Sequence, residues 1–371
     1  MTSVEQIKGK RAGSGLRAYD PEPACPGYTL FAPLTGGGVV YLIDMQGEVA
    51  HRWQMPYAPG LYGYLTPHGT LVYNGKVPDD SGRFISDKGW KGGAILEVNW
   101  DGDVLWEVRH PDHHHDGTVL RNGNVLFLCL ERVPNEIAGG VLYDPTGNAE
   151  PHDLYADYLI EMTRDGEVVW EWHAWQHLDP VRDKPLAARE DQAEWTHGNT
   201  VAELADGNIL VSFRDLSTIA IIDRQTGEIR WRIGSPHLAQ QHAPAPLPNG
   251  NILVFDNGTR RTDHFMPFSR VLEIDPRPSE IVWSYQERQE VDFFAPHLSN
   301  AQRLPNGNTL ICEGTFGRLF EVTETGETVW EYVNPYYNAP PNKPESPPRN
   351  AIFRAYRYNV EQIESARRMG R

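Results

Sequence analysis

The segment THGNTVAELADGNILVSFRDLSTIAIIDRQTGEIRW, Thr196–Trp231, reads as one complete unit of four β-strands. Two β-rich runs flank an Asp-Gly turn. A third short strand, TIAIID, follows a loop, and a Thr-Gly turn leads into a fourth strand that ends in Trp. Asn-Gly and Asp-Gly fit such turns because both residues tolerate the positive φ that a tight antiparallel connection demands.

Working outward, the closing signal recurs as GEVAHRW (Gly47–Trp53), GDVLW (Gly102–Trp106), GEVVW (Gly166–Trp170), SEIVW (Ser279–Trp283) and GETVW (Gly326–Trp330). The Trp-to-Trp intervals around the chain are 53, 64, 61, 52 and 47 residues, which makes six units. Five of the six also carry the turn followed by a β-rich run: TPHGTLVY, RNGNVLFL, ADGNILVS, PNGNILVF and PNGNTLIC. Four strands per unit and a period near 50 predict an all-β fold, a six-bladed β-propeller of four-stranded antiparallel blades. The first unit has only three strands, YTLFAPL, VVYLID and GEVAHRW, and lacks the innermost one. NAIFRAYRY, Asn350–Tyr358, is expected to supply it, so that N- and C-terminal strands close the ring in one blade.

A length of 371 residues, at about 150 residues per domain, would otherwise suggest two or three domains. Blades that bury their faces only against each other make one cooperative body instead. The expected organisation is a flexible N-terminus over residues 1–17, a single propeller domain over 18–360, and a tail over 361–371 forming a short surface helix. Glu171–Trp195 is an insertion, and Lys76–Gly92 is a loop long enough to shape a pocket mouth.

The 34 Lys and Arg against 50 Asp and Glu leave a net charge of -16, which argues against broad capture of nucleic acid or of an anionic membrane surface. Cys25, Cys129 and Cys312 have no metal-knuckle spacing and are expected to be buried thiols. The sequence has no secretory leader pattern and no run of about 18 apolar residues, so the expected location is cytoplasmic.

The innermost strands line a propeller's channel. Aligned on Leu65, Leu120, Leu204, Leu247 and Leu304, His115 and His242 stand five residues before their leucine, and His197 and His297 stand seven before theirs. Both offsets have one parity, so all four imidazoles are expected on the channel side, with His113, Asn199, Gln240 and Ser299 sharing that parity. Converging imidazoles suit either nucleophilic and acid–base chemistry or ligation of one transition metal ion, iron foremost, by His115, His197, His242 and His297. Arg214 in SFRD and Arg260 after FDNGT are placed to hold an anion, since a guanidinium matches sulfate or phosphate oxygens. Tyr62 and Tyr64 offer a phenol or a stacking wall, while Trp172 and Trp175 in the insertion are candidates to cover an aromatic substrate. A non-catalytic binding or scaffold propeller would instead use its outer loops and leave the axis inert.

AYDPEPACPGYTLFAP with VVYLIDMQGEVAHRW, HHHDGTVLRNGNVL, the Thr196 segment and QHAPAPLPNGNILVFDNG together resemble the arylsulfotransferase-like family of β-propellers, from about residue 18 to RAYRY. The resemblance implies an enzyme that moves a sulfuryl group between phenolic compounds through a histidine that becomes sulfated, without a nucleotide donor or other cofactor. By motif it implies His242 as nucleophile, His197 as the assisting histidine, Arg214 as the anion-binding arginine and His115 as a further anion-binding group, with His114 competing for that role. The implied partner is a small aromatic or anionic substrate.

Overall fold

The computed structural model describes residues 13–141, 153–185, 193–340 and 343–369. In chain order its strands are β1 (Gly15–Tyr19), β2 (Tyr28–Pro33), β3 (Val39–Ile43), β4 (Val49–Gln54), β5 (Ala58–Leu65), β6 (Leu71–Lys76), β7 (Gly93–Val98) and β8 (Val104–Arg109). There follow β9 (His113–Val119), β10 (Val125–Arg132), β11 (Tyr155–Met162), β12 (Val168–His173), β13 (Gly198–Glu203), β14 (Ile209–Phe213), β15 (Thr218–Ile222) and β16 (Ile229–Ile233). The last are β17 (His242–Pro246), β18 (Ile252–Asp256), β19 (Arg270–Asp275), β20 (Glu280–Tyr285), β21 (Asn300–Arg303), β22 (Thr309–Glu313), β23 (Arg318–Val322), β24 (Thr328–Val333) and β25 (Ile352–Tyr358).

They form six antiparallel sheets. Blades two to five are β5 to β8, β9 to β12, β13 to β16 and β17 to β20, each in chain order from the axis outward. The first blade is β25-β2-β3-β4, with the C-terminal strand innermost as the strand count predicts. The sixth, β21 to β24, carries β1 as a fifth strand on its outer edge, so that residues 15–17, expected to be flexible, pair with β24. The chain thus crosses the junction between blades six and one twice, by β1 and by β25. The C-terminal helix Val360–Met369 buries Ile363 and Ala366 in the core shared by the first two blades.

The turn chemistry explains the hairpins. Gly69, Gly123, Gly207, Gly250 and Gly307 hold φ between 80° and 91°, a region where a side chain is strained. The recurrent tryptophan joins blade to blade. Trp53 Nε1 donates to Asn99 O, Trp170 to Arg224 O, Trp231 to Ser279 Oγ, Trp283 to Glu324 O and Trp330 to Met45 O. Every acceptor lies in the turn between third and fourth strands of the next blade. Trp106 departs from the pattern and donates to Glu97 in its own blade.

A second repeated device lies beside it. Glu161, Glu273 and Glu321 on third strands each accept from the Asn side chains of their own blade's turn, for example Asn124 at 2.6 Å, Asn251 at 2.7 Å and Asn308 at 2.6 Å. Each also pairs with an arginine of the following blade, Arg224, Arg303 or Arg357. The same three guanidiniums lie over Trp170, Trp283 and Trp330. One carboxylate therefore anchors its own turn, the neighbouring blade and the seam tryptophan together. The three cysteines are free and buried, as expected.

The turns that join first to second and third to fourth strands are short and fall at one end of the ring. The long connections, after β6, β10, β12, β18, β20 and β24, fall at the other. Trp330 is fully buried where blades six and one meet. Trp330→Ala is expected to destabilise the protein by about 3–5 kcal/mol, measured as the shift in a single urea transition followed by tryptophan fluorescence and circular dichroism.

Candidate functional site

The inner strands enter from the long-loop end, and their entries are bent. His115, His197, Gln240, Ala243, Leu298 and Ser299 have φ of 47°, 48°, 54°, 51°, 65° and 88°. Register shifts accompany these bends where β9, β13 and β17 pair with their second strands. Left-handed, non-glycine residues in such numbers mark backbone strain held by surrounding structure. The bends, rather than strand parity, aim the histidines. His113 shares the parity of His115 but is turned into the sheet, where its Nδ1 accepts from Gly93 N and its Nε2 donates to Asp116 O.

Three predicted histidines converge. The rings of His115 and His197 are 4.8 Å apart, nearly perpendicular. Phe353 of β25 stands 6.3 Å from His115 and 6.2 Å from His242, between the two. Arg214 is buried, and its amide donates to His197 O, which seats it beside that histidine. Its Nη1 donates to Asp215 Oδ1 at 2.7 Å. His297 stands at the exposed mouth, near enough for its charge to act on His242. His114 lies behind His115 with the two Nδ1 atoms 2.8 Å apart.

Each converging imidazole is fixed from behind. His242 Nδ1 lies 2.7 Å from Asn257 Oδ1, and the Asn257 amide donates to Ala295 O and Leu298 O. With both amide protons used, that oxygen can only accept, so His242 carries its proton on Nδ1 and leaves Nε2 as a bare lone pair. Glu194 Oε2 sits 2.7 Å from His197 Nδ1. Burial, then the charges of Arg214, His297 and His197, hold the His242 pKa well below the usual 6.5, against the pull of the Asn257 bond. Burial also depresses His115, helped by His197, His114, His242 and Arg214. His197 moves the other way. Burial lowers it, but the charge and hydrogen bond of Glu194, with Asp215, outweigh that and raise it above 6.5. Neighbouring groups pushed apart in this manner divide into a base or nucleophile and an acid.

Below the histidines lies a buried ionic junction. Asp116 accepts from Tyr62 Oη at 2.5 Å, Val201 N at 3.0 Å and Arg354 Nη2 at 3.0 Å. Arg354 also donates to Asn199 O and Thr200 Oγ1 and lies 4.4 Å from the Tyr62 ring centre. Tyr64 Oη accepts from Val119 N and contacts Thr118. Burial pushes both phenols up, Tyr64 to about 12. Asn199 Nδ2 donates to Gln241 O at 2.8 Å and so ties blade four to the residue before His242.

Two expected aromatic covers are elsewhere. Trp172 is buried between blades, stacked on His177 and Phe213 with Nε1 donating to Gly227 O, and Trp175 donates to Glu131. Blade packing thus consumes Trp172, while Trp175 stays half-buried. The axis indole is Trp90, in the Lys76–Gly92 loop, stacked at 5.4 Å on His115 and edge-on at 5.6 Å to His197. With Leu61, Tyr62, Phe353 and Leu298 it forms an apolar cluster beside the cationic and imidazole groups. Arg260 is exposed. Arg261 and Arg270 both pair with Asp256.

Among the described residues, no group of three or more His, Cys, Asp or Glu side chains is arranged to hold a metal ion. A groove of about 470 Å³, lined by Leu247, Trp283, Arg303 and their neighbours, opens between blades five and six at the short-turn end, away from the histidines. No described helix is long and apolar enough to cross a membrane.

Residues 77–335 match the family described as Arylsulfotransferase (ASST). The chain is 21% identical over 369 residues to the arylsulfate sulfotransferase AssT of Escherichia coli O6:H1 (strain CFT073), covering 76% of this chain and 58% of that protein. It therefore spans less than two thirds of that relative's length. A crystal structure of a protein of unknown function from Bacteroides caccae superposes with a TM-score of 0.52 at 15% identity, covering 89% of this chain and 98% of that one, which shows a shared fold.

Asp116 and Arg354 are both buried, so removing either strands the other's charge. Arg354→Met is expected to cost about 3–5 kcal/mol in urea unfolding, and a double change with Asp116→Asn to cost less than the sum of the two single changes.

Proposed function

The chain belongs to the arylsulfotransferase family, and from that premise we propose that it transfers a sulfuryl group from an aryl sulfate to a phenolic acceptor through His242. The observation that carries this reading is the bond from His242 Nδ1 to Asn257 Oδ1, because it leaves a neutral imidazole with Nε2 unprotonated. An imidazole in that form is a nucleophile that needs no prior proton removal.

In the first half-reaction Nε2 of His242 attacks the sulfur, the sulfur–aryl-oxygen bond breaks, and protonated His197 gives its proton to the departing phenolate. The intermediate is His242 with a sulfuryl group on Nε2. In the second, His197 takes the proton of the acceptor phenol, the phenolate oxygen attacks sulfur, and the nitrogen–sulfur bond breaks to restore His242. Arg214 and His115 supply donors to the sulfuryl oxygens, where charge develops in the transition state. Trp90, Phe353 and Leu298 form an apolar, aromatic wall beside those donors, which suits an aryl group joined to an anion.

His242→Ala is expected to lower turnover of 4-nitrophenyl sulfate with a phenol acceptor by about 10³-fold or more, and to abolish the sulfated protein seen by mass spectrometry after donor alone. A sulfated species of the same yield in the variant would refute the assignment.

The active form has His242 neutral and His197 protonated. The rate therefore rises with pH through the depressed pKa of His242 and falls through the raised pKa of His197. Glu194→Gln removes the charge that raises His197, so the alkaline limb of kcat/KM is expected to move to lower pH. An alkaline limb that stays in place would reassign the acid. Chelator-treated protein is expected to keep its activity; loss on chelation with recovery on adding iron or zinc would favour a metal-centred reaction.

A further inference from the structure

Among the described residues, the buried lysine and arginine side chains are Lys91, Arg214, Arg318, Arg354 and Arg357, and each one pairs with a carboxylate. At the axis the pairing is close. Arg214 Nη1 donates to Asp215 Oδ1 at 2.7 Å, and Gln240 Nε2 donates to the same oxygen at 3.3 Å. Asp215 N donates to Thr196 O at 3.1 Å and the residue is buried, so its charge stays beside the guanidinium. His197 Nδ1 meets Glu194 Oε2 at 2.7 Å in the same way. Arg354, below, is matched by Asp116 at 3.0 Å.

The remaining groups add no positive charge to this balance. Burial and neighbouring charge hold His115 and His242 well below their usual range. His114 stands 2.9 Å from Asp157, and beside that carboxylate neither protonation state of the imidazole leaves a surplus. Arg349, whose charge acts on His297, is exposed, and salt screens it. With His197 protonated, the buried side chains around Arg214 therefore carry no excess positive charge. Loss of that proton leaves a deficit.

A ligand anion on Arg214 places one guanidinium between two negative groups. A single ligand charge shares the guanidinium with Asp215, whereas a second finds no counter-charge and faces that carboxylate across a few ångströms of poorly solvated space. Donor geometry does not offset this, because guanidinium and imidazole N–H groups serve sulfate and phosphate oxygens alike. The two esters differ in charge. An aryl sulfate carries one negative charge, and a phosphate monoester about 1.5 to 2 near neutral pH.

We propose that Asp215 is a specificity-determining residue, which makes the axis take monoanionic sulfate esters and reject dianionic phosphate esters of the same shape. Binding of an ester at Arg214 rests on the sulfuryl-transfer reading; the charge balance that discriminates does not.

Benzenesulfonate and phenylphosphonate share one shape, and neither has an ester oxygen to transfer, so calorimetry reads their affinities without turnover. At a pH where the phosphonate is a dianion, the unaltered protein is expected to bind the sulfonate about tenfold or more tightly. Asp215→Asn keeps an acceptor for Arg214 and Gln240 but removes the charge. It is expected to bring the two affinities within about threefold, chiefly by tightening the phosphonate. Equal affinities in the unaltered protein overturn the proposal and need no variant to fold. So does binding of neither compound, and so does an Asp215→Asn protein that keeps the full preference. The expected preference in a protein that turns over no aryl sulfate would sink the transferase reading while supporting the selectivity.

Discussion

Asp116 and Arg354 meet 3.0 Å apart inside the ring, and four of the six blades are committed to that contact. Asp116 comes from blade three, Arg354 from the closing strand of blade one, Tyr62 from blade two, and Val201 with the Asn199 and Thr200 acceptors from blade four. A buried ion pair is weak as a source of net stability, since its desolvation roughly cancels its attraction. Its value here is geometric. The hydrogen bonds converge only when the inner strands stand in one register, so the junction sets the height at which His115, His197 and His242 face each other just above it.

The two ends of the propeller divide the labour. At the short-turn end, the Glu–Asn–Arg–Trp clusters repeat from blade to blade and fix the seams, which frees the other end from holding the ring together. There the strand entries carry their left-handed residues and the long loops bring in Trp90, Glu194 and Asn257. In a chain of net charge -16, Arg214 and His197 bring two basic side chains to the axis, each held beside a carboxylate, Asp215 or Glu194.

The blades were legible because their signals are local. Turn glycines, alternating apolar runs and a tryptophan at a fixed place in each unit state the hairpins without reference to anything distant. The missing fourth strand of the first unit followed from arithmetic alone. What the sequence hid was contact across blades. The glutamates of RVLEID and RLFEVT are visible as residues, but nothing nearby names Arg303 or Arg357 as their partners. Parity gives His113 the same face as His115, whereas the left-handed bends that aim these side chains, at non-glycine residues, have no reliable mark in the sequence. Length marks the Lys76–Gly92 loop in the sequence while nothing marks its Trp90, and the more conspicuous Trp172 packs in the core. Asn257 stood in the FDNGT run beside the arginines under consideration, and Glu194 three residues before His197; both orient a histidine and neither belongs to a motif of its own.

β25 follows every other strand in the chain, yet it is innermost in its blade and contributes Phe353 and Arg354 to the centre of the ring. During synthesis, at about 5–20 residues per second, the first 351 of the 371 residues emerge with one blade lacking its axial strand and with Asp116 lacking its cation. The histidines that face each other in the finished molecule therefore have no common floor until the final strand leaves the ribosome. Assembly of the axis is in this sense timed by chain order: Asp116 gains its cation and the histidines gain Phe353 only when the last strand joins the ring.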